Sequence, residues 1–430
     1  MLCFEAPDNY ARTPEPKGQS TVGGRHYPAI HMPQNPSMTP AAHAPVPGVR
    51  RAPAAARSVA FGILALAIIP PATAEIPFAR GSLSLTAALD EEYDSNIFLN
   101  QYRTSDWHTT LTPGVRLVRD AGLLRLEADA GVNIQRFQRN DQENSTDPFA
   151  NASLRFTEEE TRLTGSASGF YRRVSEANPD VNGRSRVEEK NGKIFLGFFP
   201  AQKLGYRVNG EYFDQDFFNP AWSDIKTYSL GLDARYHYSE KFDTFVGVGK
   251  RWSDTYHVPV GLPSLDSEDL KFRVGVEGDL LAKVSGQFAV GWVRRTFSTT
   301  MTSARSGLLF DTSLTWRPDD ETSVRLLVSR DFDTTPIDQS VMRQVTGVEL
   351  HRRIREKLGA TLGYSHAVSN YIGIGISRRD RSDIFHAGAD YQLTKTWRTS
   401  LHLNYTNTDS DSAMSAYDRF VGGVNIVAAF

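Results

Sequence analysis

The stretch FVGGVNIVAAF, residues 420–430, decides the architecture. In an extended chain Phe420, Gly422, Val424, Ile426, Ala428 and Phe430 share one face, and Val421, Gly423, Asn425, Val427 and Ala429 share the other. This is a period-two strand that ends on an aromatic residue. Working upstream, the same alternation recurs. In 123–134, Leu124, Leu126, Ala128, Ala130 and Val132 oppose Arg125, Glu127, Asp129 and Asn133. In 204–212, Leu204, Tyr206, Val208 and Tyr212 oppose Arg207, Asn209 and Glu211. In 228–238 the apolar set opposes Asp233, Arg235 and His237, and in 270–280 it opposes Lys271, Arg273, Glu277 and Asp279. In 397–405, Leu401, Leu403 and Tyr405 face Arg398, Ser400, His402 and Asn404.

Short turn-like punctuation falls at 120–122, 158–160, 201–203, 239–241, 281–283, 318–320, 355–357 and 394–396. The spacing of about 40 residues fits two spanning strands plus a loop. Longer polar stretches lie between, for example 140–147, 176–186, 257–267 and 373–383. Eight short turns and nine longer loops predict about 18 strands, with 16 the nearest alternative. The fold class expected is all-β, a transmembrane antiparallel β-barrel. Its closed sheet pairs every backbone N–H and C=O, as the hydrocarbon interior demands. A negative mean hydropathy does not exclude this, because lipid-facing and lumen-facing residues alternate and the average reads polar. No second apolar run approaches the length of a spanning helix.

The first 49 residues, rich in Pro, Ala, Gly and His, read as a disordered leader, of which 1–31 or 1–37 lies outside the translated protein if Met32 or Met38 is the start. Residues 50–74 combine a basic flank, the apolar run VAFGILALAII and Ala72-Thr73-Ala74, so they predict a signal peptide cleaved after Ala74. The barrel is then residues 75–430. The one cysteine, Cys3, lies in the leader, so no disulfide or thiol nucleophile is expected in the barrel. Residues 1–74 hold six of the 48 basic and three of the 50 acidic residues. That leaves 42 against 47, a net of −5, which is no nucleic-acid-binding signature.

Aromatic residues cluster toward both strand ends, as interface girdles do. Phe156, Tyr238, Phe242, Trp316, Trp397 and Phe430 lie near the short turns. Tyr171, Tyr212, Tyr228, Trp252, Trp292 and Phe332 lie toward the longer loops. A charge on the lipid face at mid-bilayer costs ~2–4 kcal/mol, so the alternating charges must point into the lumen. The pore-lining candidates are Arg125, Glu127, Asp129, Arg162, Arg207, Glu211, Asp233, Arg235, Arg273, Glu277, Arg325, Glu349 and Arg398. Barrels of this size enclose an aqueous channel, and mixed charges can select permeants. The longest expected loops, about 11 residues, look too short to fold in as a plug. Ser, His and Asp side chains are what a wet lumen supplies anyway, so no enzyme is read from Ser365-His366 or from His386 with Asp390. No histidine pair has local metal-ligand spacing, and neither a metal nor a cofactor is expected.

The closing strand resembles that of bacterial outer-membrane barrels, whose terminal aromatic residue, here Phe430, is read by the barrel-assembly machinery. Tyr93-Asp94-Ser95-Asn96-Ile97-Phe98, after a first strand at 83–89, resembles a stretch of a putative outer-membrane β-barrel porin family. Tyr93, Asp94, Asn96, Ile97 and Phe98 carry that resemblance. It implies a channel in the bacterial outer membrane for passive passage of hydrophilic solutes, with exopolysaccharide export as the specific role. Outer-membrane lipid, the assembly machinery, polysaccharide and export-system proteins are the implied partners, and a homo-oligomer is compatible. The alternative is a non-conducting structural or adhesive surface barrel.

Overall fold

The computed structural model describes residues 76–78, 81–158, 163–239, 241–259, 264, 266–299, 302–337, 339–373 and 376–430. The leader, the signal peptide with Ala74, and Arg162 fall outside them. After a short strand β1 (Ile76–Phe78) come eighteen long ones: β2 (Gly81–Asp94), β3 (Asp106–Ala121), β4 (Leu124–Phe137), β5 (Ser145–Glu158), β6 (Leu163–Asn178), β7 (Gly183–Phe198), β8 (Leu204–Phe217), β9 (Asp224–His237), β10 (Phe242–Tyr256), β11 (Ser267–Leu281), β12 (Val284–Phe297), β13 (Arg305–Trp316), β14 (Thr322–Thr335), β15 (Gln339–Arg355), β16 (Leu358–Gly373), β17 (Ile376–Gln392), β18 (Trp397–Ser410) and β19 (Tyr417–Ala429). Each pairs antiparallel with the next. β19 returns to β2 in a register running from Val421↔Asp94 to Ala429↔Thr86 and closes an 18-stranded barrel. Phe430 extends the seam, its N–H donating to the Leu85 carbonyl at 2.9 Å and its carbonyl accepting from the Leu85 N–H at 3.0 Å.

Strand pleating sorts the side chains as the alternation predicts. Leu230, Leu232, Val246, Val248, Leu270, Phe272, Val274, Leu401 and Leu403 are exposed on the outer wall, where lipid covers them. Their neighbours along each strand turn inward. Among the described residues no helix is long and apolar enough to cross a membrane; the strands do so. All eight predicted short turns join strands at one end, with Gly122 at φ +67° in one of the two-residue connections. That end is periplasmic by the usual barrel asymmetry.

Four expectations need correction. The stretch 176–186 is not a long loop: β6 and β7 run on to Asn178↔Gly183, leaving a four-residue connection. The stretch 373–383 is likewise strand from Ile376 onward, paired as far as Gly373↔Ile376. The polar residues there are extended hairpin ends whose inward side chains, Asp180, Ser185, Arg378 and Asp380 among them, are buried. The first strand is longer than 83–89, because its charged end (Asp90, Glu91, Glu92) still pairs with β3. Phe332 is not a girdle residue. It is 2% exposed and packs with Val293, Leu309 and Met342 inside the molecule.

The position of Phe332 reveals the main irregularity. β13 and β14 pair only from Phe310↔Arg330 to Trp316↔Val324. Above that point β14 leaves the wall, still paired with β15 as far as Thr335↔Gln339, and its tip bends into the lumen. The face that lower down meets lipid here lies on the inner faces of β12 and β13. The expectation that the loops are too short to fold in as a plug does not cover this case. A strand end, and not a loop, does it, so loop length could not reveal it.

Candidate functional site

The inner wall carries a continuous set of ion pairs. On β4, Arg125 Nε donates to Glu127 Oε1 at 2.9 Å, and Arg116 Nη2 reaches Glu127 Oε2 at 3.1 Å. Asp129 accepts from Asn151 at 2.7 Å. Glu211 accepts from Asn191 at 3.0 Å and faces Lys193 at 3.4 Å. Glu349 lies 3.1 Å from His386 Nε2, and Arg398 lies 3.4 Å from Asp390. Arg325 sits opposite Glu349 in the β14–β15 register.

The remaining candidates converge. Arg207 on β8 reaches over two strands to Glu277 on β11, with Nη1 and Nη2 at 2.9 and 3.2 Å. Arg235 on β9 also reaches Glu277, at 2.8 Å, and Asp243 at 3.0 Å. Arg273 on β11 grips Asp233 with two 2.9 Å bonds and touches Asp311 at 3.3 Å. Phe245 packs beneath, with the Arg235 and Arg273 guanidiniums 5.7 and 5.5 Å from its ring centroid. Asp233 and Arg235 are only 1% and 3% exposed, so here the wall is a packed, hydrogen-bonded layer. Charges this buried must be paired, and these are.

One glycine makes the layer feasible. Gly247 lies between Asp233 and Arg273 in register, and a Cβ there would come 2.1 Å from Asp233 Oδ1 and 3.0 Å from Arg273 Nε. Gly247→Val is expected to push the pair apart and to cost ~1–3 kcal/mol as an overpacking change. Urea unfolding in lipid, followed by heat-modifiable gel mobility, measures it; an unchanged midpoint contradicts the account.

Apart from Lys271, residues the alternation did not single out hold the inward-bent tip. Arg295, 1% exposed on β12, makes two bonds to Asp269, at 2.7 and 2.8 Å. Its Nη1 donates to the Asp333 carbonyl at 2.8 Å and the Ser340 hydroxyl at 2.7 Å. Arg251 on β10 donates to Asp269 at 2.7 Å, to Asp331 at 3.1 Å and to the Phe332 carbonyl at 2.5 Å. Lys271 also contacts Asp331. Across the lumen, the Ser223 N–H of the β8–β9 connection donates to the Pro336 carbonyl at 2.8 Å. The Tyr371 hydroxyl on β16 donates to Asp180 of the β6–β7 connection at 3.2 Å, from nearly opposite sides of the ring. Asp269 and Lys271 share a face with Arg273, so the row was readable; their partners on β14 were not.

The residues of the Tyr93–Phe98 segment do structural work at the outer end of the closing seam. Asp94, 1% exposed, accepts from Arg419 on β19 at 2.7 Å and from the Asn96 N–H at 2.8 Å. Asn96 donates to the Asn100 and Asp418 carbonyls at 2.8 and 3.1 Å. Ile97 is buried, and Tyr93 packs on Trp107 with centroids 5.4 Å apart. This fits a polar strand-to-loop corner that ties the first strand to the last.

The family described as Putative beta-barrel porin 2 matches residues 82–430. No curated protein matches the chain. Solved structures resembling it include the FrpB iron transporter from Neisseria meningitidis, with 8% identity over 76% of this chain and 62% of that one, at TM-score 0.44. This chain thus spans less than two thirds of that transporter. OccAB4 from Acinetobacter baumannii is similar at 11% identity, covering 81% of this chain and 98% of that one, TM-score 0.39. A bacterial polysaccharide outer membrane secretin is similar at 10% identity over 81% and 98%, TM-score 0.36.

Proposed function

The chain belongs to the Putative beta-barrel porin 2 family of the bacterial outer membrane, and from that premise we propose that it is a channel for hydrophilic solutes, narrowed in its outer half by the tip of β14 and β15. The observation that carries this reading is the inner wall. Its Arg–carboxylate rows run around the barrel from β4 to β18, as a water-facing surface requires and a dry core does not. Placed together, they form a transverse field through which small charged solutes pass.

Exopolysaccharide export is the specific role we attach to this channel, on the resemblance carried by Tyr93, Asp94, Asn96, Ile97 and Phe98. A polymer leaving by this route must displace the β14–β15 tip, so export couples to tip movement. Export-system proteins would then dock at the periplasmic turns, and the assembly machinery would engage the strand ending at Phe430.

A second reading, the non-conducting structural barrel, is favoured by the buried layer of Asp233, Arg235 and Glu277. Planar-bilayer recordings separate the two. The full-length protein purified from outer membranes is expected to give stable ohmic steps, smaller than an unobstructed barrel of 18 strands allows. Protein proven folded by heat-modifiable mobility that gives no steps would sink the channel reading.

A further inference from the structure

At the seam where the barrel closes, β18, β2 and β3 bring two histidines and two carboxylates to one place on the inner wall. His402 on β18 is in register with Gly423 on β19, Gly423 with Glu92 on β2, and Glu92 with His108 on β3. One row therefore reads His–Gly–Glu–His across the seam. Glu92 Oε1 lies 2.6 Å from His402 Nε2, and Glu92 Oε2 lies 2.7 Å from His108 Nε2. Asp90 sits two residues before Glu92 on the same face. Asp90, Glu92 and His402 each offer a ligand atom within 4.8 Å of the other two.

One observation independent of that clustering points to a missing ligand. Asp90 Oδ1 is buried with no hydrogen-bond partner, while its other oxygen accepts from Asn425 at 3.1 Å. An anionic oxygen taken out of water without a donor is costly, and a cation removes the cost. Gly423 leaves room for the side chains to approach one another. A Cβ there would meet Glu92 Cγ at 2.6 Å and the His402 ring at 2.7 Å, so only glycine lets the side chains of β18 and β2 meet over β19.

We propose that this row is a binding site for a divalent transition metal, Zn²⁺ foremost. Asp90, Glu92 and His402 are its ligands, and His108 is a fourth donor or the outer partner that orients Glu92. Imidazole nitrogen with carboxylate oxygen is the donor set borderline cations prefer, and it disfavours Ca²⁺ and Mg²⁺, which take oxygen shells. Ligand atoms around a tetrahedral zinc ion stand about 3.3 Å apart, as bond lengths near 2.0–2.1 Å require. The histidine–carboxylate contacts open by less than 1 Å when the metal replaces their shared protons. Bound there, the ion joins β2 to β18 across β19, and so locks the closure seam.

The test uses the full-length protein from outer membranes, stripped with chelator and titrated with ZnCl₂ by calorimetry. A Co²⁺ titration then reads coordination from the visible absorption band. One Zn²⁺ per barrel is expected, with a tetrahedral Co²⁺ band and a higher temperature for the heat-modifiable mobility shift. Affinity should fall at least tenfold in His402→Ala and in Glu92→Gln, the second being nearly isosteric and thus protected against misfolding. Gly423→Ala should weaken binding with every ligand intact. No saturable binding by the folded wild type, or binding equal in both ligand variants, overturns the proposal.

Discussion

Replacing residues 332–342 with the dipeptide Asn-Gly is expected to raise single-channel conductance several-fold. Asp331 and Arg343 are register partners, so a two-residue turn between them rejoins β14 and β15 without disturbing the ladder below. The replacement removes Phe332, Met342 and the carbonyls that Arg251 and Arg295 hold. It also removes Pro336, which receives the Ser223 N–H from across the lumen. The blocking mass leaves, and the wall of Arg and carboxylate rows stays. Because β13 already parts from β14 above Phe310, no pairing is lost on that side, and on the other side only the last three β15–β16 pairs, Ser340↔Ile372, Val341↔Tyr371 and Met342↔Asn370, go with the tip. Bilayer recordings of the two proteins, matched for folded fraction, decide the matter. Equal conductance would mean that the tip does not limit the path, and the constriction would then belong to the Asp233–Arg235–Glu277 layer. Intermediate opening is expected of Arg295→Met, which frees the tip but leaves it attached.

Asp269→Asn is expected to cost ~3–5 kcal/mol, the penalty for breaking a buried ion pair from one side. Asp269 is 1% exposed and binds Arg295 with both oxygens while also accepting from Arg251. The amide keeps the shape and removes the charge, so two guanidiniums remain close together with no adequate counterion between them. Asp120→Asn is the contrast. That carboxylate is two-thirds exposed at a turn, with Arg125 Nη1 4.0 Å away, and its loss should change stability by no more than ~0.5 kcal/mol. Urea unfolding in lipid vesicles gives both numbers. Equal destabilisation by the two changes would contradict the account, because Asp269 is buried between two guanidiniums and Asp120 is exposed beside one. Asp269→Asn should also loosen the tip, so a rise in conductance is expected beside the loss of stability.

These two results turn on residues that stand differently in the sequence. The period-two rows, the eight short turns and the closing strand were readable because strand geometry is local: each residue's face follows from its neighbours. The inward position of Arg207, Asp233, Arg235, Arg273 and Glu277 follows from the same rule, since a charge cannot face hydrocarbon. Which residue meets which does not follow. Arg207 and Glu277 are 70 positions apart, and Glu92 and His402 are 310 apart. Their contact depends on barrel closure and on register, and for Glu92 and His402 on Gly423 leaving the intervening strand bare.

The sequence by itself determined the class of molecule, the number of strands, which end carries the short turns and which side chains face lipid, because all four are properties of single strands and their turns. Only the tertiary structure decided that β14 abandons β13 above Phe310 and carries Phe332 inward, and that His108, Glu92 and His402 form one row. The physical reason is that an alternating strand end reads the same whether its apolar face meets lipid or another wall. The choice rests on long-range partners such as Arg251, Arg295 and Ser223, which no local pattern can name.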